Sequence, residues 1–228
     1  IDRCESLIEC ADIEVILVDN GSTDDTSLVL KKLLGKKKIR SKRLRKNLGY
    51  GGGILAGLSV ANGNILGWTH ADMQTDPLDT LKGLYTFSKS SNTKTLFIKG
   101  KRYGRPLGDT FFTVGMSVFE TFLMGTVLFD INAQPTLFTR EFYESWVEPP
   151  KDFSLDLFAY YMAKKNGLKI KRFPVRFGKR VHGISHWNVN WEAKKKFIER
   201  TVSYSLKLRQ NVIENKKNSH EDYSSPQK

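Results

Sequence analysis

Apolar residues are dealt out along this chain in short blocks, each closed by a polar or glycine-rich break. Residues 3–11 carry Leu7, Ile8 and Ala11 in a helical pattern. Glu14-Val15-Ile16-Leu17-Val18 predicts a buried strand. The run from Asp19 to Thr26, rich in Asp, Ser and Thr, predicts the loop and cap that open a helix over 25–34. Gly49-Tyr50-Gly51-Gly52-Gly53 predicts a turn, followed by a helix with Ile54, Leu55, Leu58 and Ala61 on one face. Asn62-Gly63-Asn64 stops that helix, and Ile65-Leu66-Gly67-Trp68 reads as a short buried strand. Asp76-Pro77 fits the cap and first position of a helix over 78–90. Further on, strands are expected over 95–100 and 168–175, a loop and strand over 130–140, and a helix over 152–167. A basic amphipathic helix follows over 191–213, then a polar tail over 214–228 with the composition of disorder. Helix–strand alternation through the first half predicts a doubly wound α/β layer with a mostly parallel sheet.

The most apolar run, 111–129, is near the length that spans a bilayer. Glu120 sits in its middle, and an acid at that depth is costly. The expectation is a helix at a membrane interface, or a helix pair in a soluble core. The 228 residues, 39% hydrophobic and 27% charged, suffice for one domain with a real core. A net charge of +13 favours an anionic partner. Ten Lys or Arg and no acid lie between Lys31 and Lys46. That run is either a solvated face or a patch for anionic lipid, to which each basic residue adds about 1 kcal/mol. Aromatics do not interleave with it, and no helix-turn-helix or RNA-binding signature appears, so nucleic acid is not an expected partner. Cys4 and Cys10 form neither a zinc pattern nor a disulfide framework, and a signal peptide is not expected. A reduced, cytoplasmic setting is expected. The chain opens at Ile1 inside a helical pattern, so an N-terminal piece is expected to precede it.

Candidate chemistry gathers after the strand at 65–68, in His70-Ala71-Asp72-Met73-Gln74. Ligands of open α/β sheets bind at the carboxyl ends of strands. In an extended segment, residues two apart point the same way. His70, Asp72 and Gln74 are then a set of N and O donors for a divalent cation. An acid at a strand end is more often a helix cap, but Asp76 fills that role here and leaves Asp72 for chemistry. Asp156 stands alone among apolar neighbours near the start of its helix. The loop Phe177–Trp187 is crowded with donors. Gly49-x-Gly51 lacks the third glycine and the directly preceding strand of a dinucleotide fingerprint, which argues against an oxidoreductase.

In order along residues 5 to 190 stand V-D-N-G-S-T-D-D-T, N-L-G-Y-G-G-G, H-A-D-M-Q-T-D-P, K-G-K-R-Y-G-R, F-S-L-D-L and R-V-H-G-I-S-H. The ordered set resembles the inverting family-2 glycosyltransferases of the GT-A fold, and within them the dolichyl- or polyprenyl-phosphate branch. The resemblance implies a Rossmann-like three-layer α/β sandwich over 1–190, with a nucleotide-sugar half to 105 and an acceptor half from 106. It implies a UDP- or GDP-sugar donor, Mn²⁺ or Mg²⁺, and a polyprenyl-phosphate acceptor at the cytoplasmic face of an anionic membrane. Asp19 resembles the acid that contacts base or ribose, with Gly21, Asn47, Gly49, Gly51 and Ala71 beside the donor. Asp72 resembles the second acid of D-x-D, and Gln74 a further metal contact. Arg102 matches a basic residue that meets the donor phosphates. Arg180, Ser185 and His186 lie in the loop that closes over the site. His70 stands where the first Asp of D-x-D is usual, His186 where this branch often has Lys, and the family's first strand does not appear after Ile1.

Inverting transfer needs the charge on the leaving diphosphate stabilised, by a metal acting as Lewis acid and by Arg102 and Arg180. A hydroxyl acceptor also needs a general base, for which Asp156 is the candidate. A lipid phosphate is largely ionised at neutral pH, its second pKa being about 6, so Asp156 would then orient rather than deprotonate. The basic surface and the 111–129 run favour the lipid phosphate over a saccharide hydroxyl.

Overall fold

The computed structural model describes residues 1–33, 39–178, 192, 195 and 198–210. The first helix, α1, spans Asp2–Cys10, followed by β1 (Val15–Asp19), α2 (Thr26–Leu33) and β2 (Ile39–Arg43). The glycine-rich segment, expected as a turn, is the first turn of α3 (Gly49–Leu58). Next come β3 (Ile65–Trp68), a 3-10 turn over Pro77–Asp79, α4 (Thr80–Ser88), β4 (Leu96–Tyr103) and α5 (Leu107–Met124). The second half closes with β5 (Thr136–Thr139), α6 (Arg140–Glu144), α7 (Leu155–Lys165) and β6 (Lys169–Arg176). Residues 198–210 are helical. Residues 34–38 of the basic run, most of the closing loop and the tail lie outside the described residues.

Among the described residues the strands form two sheets. β1 and β2 pair in parallel. The other sheet has the order β3-β5-β4-β6. β5 is antiparallel to both β3 and β4, and β6 is parallel to β4. Strands β3, β4 and β6 therefore run the same way, with β5 the one reversed strand. This is the mixed α/β layer with parallel strands that the alternation predicted.

Register explains the layers. Leu66, Phe138, Phe97 and Ile170 are cross-strand partners, so they share one face of the sheet. They pack there with Phe142 and Trp146 from the α6 region, Leu155 and Phe158 of α7, Met124 of α5 and Leu208 of the C-terminal helix. Leu137 and Ile98 fall on the opposite face and pack with Leu96, Phe87 of α4 and Phe173. Both faces of the sheet are covered, as strands buried on two sides require. Asp76 caps as expected, accepting the Leu78 amide at 3.0 Å, whereas α5 stops short of the end of the expected apolar run, at Gly125, whose φ of +62 lies in the left-handed region.

Candidate active site

The site is assembled from loops at one end of these strands. Asp19 ends β1 and is buried. Its Oδ1 accepts the Ser22 amide at 2.8 Å, and Arg43 Nε stands 3.6 Å from Oδ2. Hydrogen bonds from Ser22 hold the Asp19 carboxyl below the usual carboxylate range. Oδ2 is buried and makes no hydrogen bond, which leaves it an acceptor to offer.

Asn20 ties this loop to α3. Its Nδ2 donates to the Gly49 carbonyl at 2.8 Å, and its Oδ1 accepts the Leu48 amide at 3.0 Å. Asn47 Oδ1 accepts the Gly49 amide at 2.8 Å. Gly21 has φ +75, and a Cβ there would meet the Asn47 amide nitrogen at 2.5 Å. A Cβ on Gly51 would lie 2.5 Å from the Pro150 carbonyl oxygen and 2.7 Å from that of Asp152. The α3 glycines thus let the helix start abut the backbone that leads into α7, where the Gly52 amide donates to Lys151 O at 2.8 Å.

That junction brings Tyr50 over Asp156. The phenol donates to Asp156 Oδ2 at 2.7 Å and accepts from Gln134 Nε2 at 2.6 Å. Asp156 is 1% exposed. Lys99, wholly buried on β4, stands 3.8 Å from its Oδ1 and donates to Thr136 Oγ1 at 2.9 Å. Burial pulls the Lys99 ammonium down to about 8, against the attraction of Asp156. Burial, and then the Asp156 charge, push the Tyr50 phenol well above its ordinary range, so it stays a donor. Tyr50 thus caps Asp156, the candidate general base, and its ring stacks on Phe153 at 4.7 Å and on His70 at 5.3 Å.

Beyond β3 the chain bends rather than extends over 71–75, and Met73 has φ +60. Strand alternation therefore does not set the directions of His70, Asp72 and Gln74. Ala71 is exposed and the other three are partly exposed. Asp72 Oδ1 accepts the Gln74 amide at 3.1 Å. Gln74 Nε2 donates to Gly178 O at 3.2 Å, and the Gly178 amide returns a bond to Gln74 O at 2.8 Å. With its nitrogen so used, Gln74 has its amide oxygen to offer. No group of three or more His, Cys, Asp or Glu among the described residues could hold a metal alone. One carboxylate, one amide oxygen and one imidazole are donor types for a cation shared with phosphate oxygens, the imidazole suiting Mn²⁺ better than Mg²⁺.

Phe177 precedes Gly178 and carries Arg102 and Arg105 over its ring, at 5.2 and 5.7 Å from the centroid. Arg102 lies near the end of β4 and is gripped by Asp130: Nε donates to Oδ1 at 2.7 Å, the amide to Oδ2 at 2.9 Å, and Nη2 also binds Oδ1. Asp19, Gly21, Asn47, Gly49 and Gly51 are thus joined to one another through backbone and Asn20. Tyr50 joins His70 to Asp156, and the Phe177-Gly178 step joins Arg102 to Gln74. Arg180, Ser185 and His186 lie outside the described residues. Sequence reasoning missed Asn20, Tyr50, Lys99, Asp130 and Gln134. A lysine inside the strand run Phe97-Ile98-Lys99 was the most visible of these signals.

Residues 2–138, more than half of the chain, match the family model of Glycosyl transferase family 2. The chain belongs to that family. The chain is 37% identical over 68 residues to the dodecaprenyl-phosphate galacturonate synthase of Rhizobium johnstonii, a stretch covering 29% of this chain and only 20% of that protein. The glucosyl-3-phosphoglycerate synthase of Mycobacterium tuberculosis, solved with Mn²⁺, UDP and glucosyl-3-phosphoglycerate, has a TM-score of 0.61 at 17% identity, covering 86% of this chain and 68% of that one. S. aureus TarS has a TM-score of 0.50 at 19% identity, covering 72% and 51%. At these identities the structural likeness is one of fold, and that fold is the GT-A arrangement expected of the chain.

Proposed function

We propose that this glycosyltransferase moves a sugar from a nucleotide-sugar donor to a polyprenyl phosphate at a membrane surface, with inversion and with a divalent cation. The observation that carries the acceptor is the outer face of α5. Phe111, Val114, Val118 and Phe122 recur at spacings of three, four and four and are all exposed, Phe111 at 75% and Phe122 at 81%. Ser117, Glu120 and Met124 of the same helix are buried on its other side. No described helix is long and apolar enough to cross a membrane. An exposed apolar stripe on such a helix suits one that lies in the headgroup region. Arg209 donates to the Leu123 carbonyl at 3.0 Å, which sets a guanidinium at the end of α5 for anionic headgroups. The partial relative named for a dodecaprenyl-phosphate product supports the same acceptor class.

In this reading Asp19 and the Asn47–Gly51 turn hold the nucleoside end of the donor. Asp72, the Gln74 amide oxygen and His70 would hold Mn²⁺ or Mg²⁺, which when bound neutralises charge on the leaving diphosphate. Arg102 meets the phosphate oxygens, with Arg180, Ser185 and His186 from the loop. An ionised phosphate acceptor needs no strong base. Asp156 then serves through Tyr50: it fixes the phenol, and the phenol ring fixes His70.

The test is flotation with vesicles of phosphatidylcholine alone or with an equal part of phosphatidylglycerol. The protein is expected to float with anionic vesicles at low salt, and Phe111→Ser with Phe122→Ser to lose that binding at least tenfold, since each buried Phe contributes about 1.5–3 kcal/mol. Equal flotation of the double variant would refute the α5 assignment. An acceptor in solution would then be the better reading.

A further inference from the structure

Asp130 is the one acid among three guanidiniums within the described residues. Arg102 takes both of its oxygens, and Arg105 Nη1 stands 3.7 Å from Oδ1. Arg172 spans the neighbouring backbone, donating to Phe129 O at 2.6 Å and Asp130 O at 3.0 Å. The Asp130 amide donates to Ser117 Oγ of α5 at 3.1 Å. The residue is buried and sits at φ +47, a left-handed conformation that Asp tolerates better than most residues. Its carboxylate is thus placed from α5, β4 and β6 at once.

For stability alone this is a poor arrangement. Burying one carboxylate among three guanidiniums leaves excess positive charge, and apolar residues of similar volume serve a core as well or better. What the arrangement achieves is placement. Arg102 and Arg105 repel each other, yet both lie over Phe177, and Arg105 is further held by Thr113 Oγ1 at 2.5 Å. Phe177 leads directly into Gly178, which is bonded twice to Gln74.

We propose that Asp130 is a positioning residue, which holds the Arg102 and Arg105 guanidiniums on the Phe177 ring beside Gln74 for a phosphate group of the substrate. This rests on the transferase reading above. Charge neutralisation alone would be a different role with the opposite sign: removing the carboxylate would then tighten anion binding.

The experiment is calorimetric titration of the full chain with UDP and with GDP, each with MnCl₂, for wild type, Asp130→Asn, Asp130→Glu, Arg102→Ala and the Asp130→Asn/Arg102→Ala double variant. Melting temperature and circular dichroism establish that each is folded. Positioning predicts that Asp130→Asn, which keeps shape, and Asp130→Glu, which keeps charge, both weaken the nucleotide that wild type prefers by about tenfold, the scale of one charge-assisted hydrogen bond. The loss in the double variant should fall short of the sum of the two single losses, because the acid acts in part through Arg102. Binding by Asp130→Asn as tight as wild type or tighter, while Arg102→Ala is weakened, overturns the proposal alone. Wild type that binds neither nucleotide, or Arg102→Ala that binds as wild type does, overturns the transferase reading of this edge and the proposal with it. Should neither Asp130 variant fold, Ser117→Ala takes their place. It frees the Asp130 amide and is expected to weaken nucleotide several-fold, with unchanged affinity counting against the proposal.

Discussion

Glu120→Gln should stabilise the protein, and only at neutral and alkaline pH. Glu120 is wholly buried where α5 meets the C-terminal helix. Its Oε2 accepts from Ser205 Oγ at 2.8 Å, its Oε1 has no hydrogen bond, and no ion pair to it occurs among the described residues. Burial therefore raises the carboxyl from 4.5 to about 7, outweighing the Ser205 bond. Between those values the folded chain binds more protons than the unfolded chain, so wild-type stability falls as pH rises through that window. At about 1.36 kcal/mol per pH unit, the penalty reaches about 3 kcal/mol by pH 8 and is only about 1 kcal/mol at pH 5. Glutamine keeps the acceptor for Ser205 and carries no charge to bury. Urea unfolding of both proteins at the two pH values gives the answer. The account predicts a variant more stable by about 3 kcal/mol at pH 8, with most of that gain lost at pH 5. A gain that does not change with pH, or a loss at pH 8, would refute the reasoning.

Other perturbations probe the junction of α3 and α7. Gly51→Ala puts a Cβ 2.5 Å from Pro150 O, so the α3–α7 contact must open; a cost of about 1–3 kcal/mol is expected in chemical denaturation. Lys99→Met strands Asp156 without its cation and should cost about 3–5 kcal/mol, while the Lys99→Met/Asp156→Leu double variant recovers much of this; strictly additive losses would show that the pair is not coupled. Tyr50→Phe removes one donor to Asp156 and should cost about 1–3 kcal/mol in stability. Tyr50→Ala removes the stacking on His70 as well, and should weaken Mn²⁺ binding followed by paramagnetic resonance more than Tyr50→Phe does; equal effects would separate His70 from the ring.

The strands were legible where burial writes itself into sequence. Leu96, Phe97 and Ile98 of β4 and Leu137 and Phe138 of β5 are buried on both faces of the sheet and so read as apolar runs, while register sets Leu66, Phe97 and Phe138 on one of them. β2 was not legible. Its sequence is Ile-Arg-Ser-Lys-Arg, only Ile39 is buried, and it is held by backbone pairing with β1 rather than by a hydrophobic pattern. The opening glycines read as a turn because glycine disfavours helix by about 1 kcal/mol relative to alanine, and nothing local reveals the carbonyls of 150–152 against which they pack. Asp76 was read correctly because a cap is a local device. Asp156 stood out as an acid in an apolar helix, but its partners Tyr50 and Lys99 lie 106 and 57 positions away in the chain, so whether it faced solvent or a hydroxyl was a tertiary matter. The candidate donors His70, Asp72 and Gln74 were grouped by residue type and strand alternation, and the bend at Met73 removes the second of those premises.

Transfer itself tests the central claim most directly. The protein would be incubated with a panel of radiolabelled UDP- and GDP-sugars, MnCl₂ and polyprenyl phosphate in anionic vesicles, and the organic-extractable label counted. The account predicts one nucleotide-sugar that yields a labelled lipid, with the yield abolished by chelator and by Asp72→Ala. Tight nucleotide binding with no labelled lipid, and label moved instead onto a saccharide hydroxyl, would contradict it.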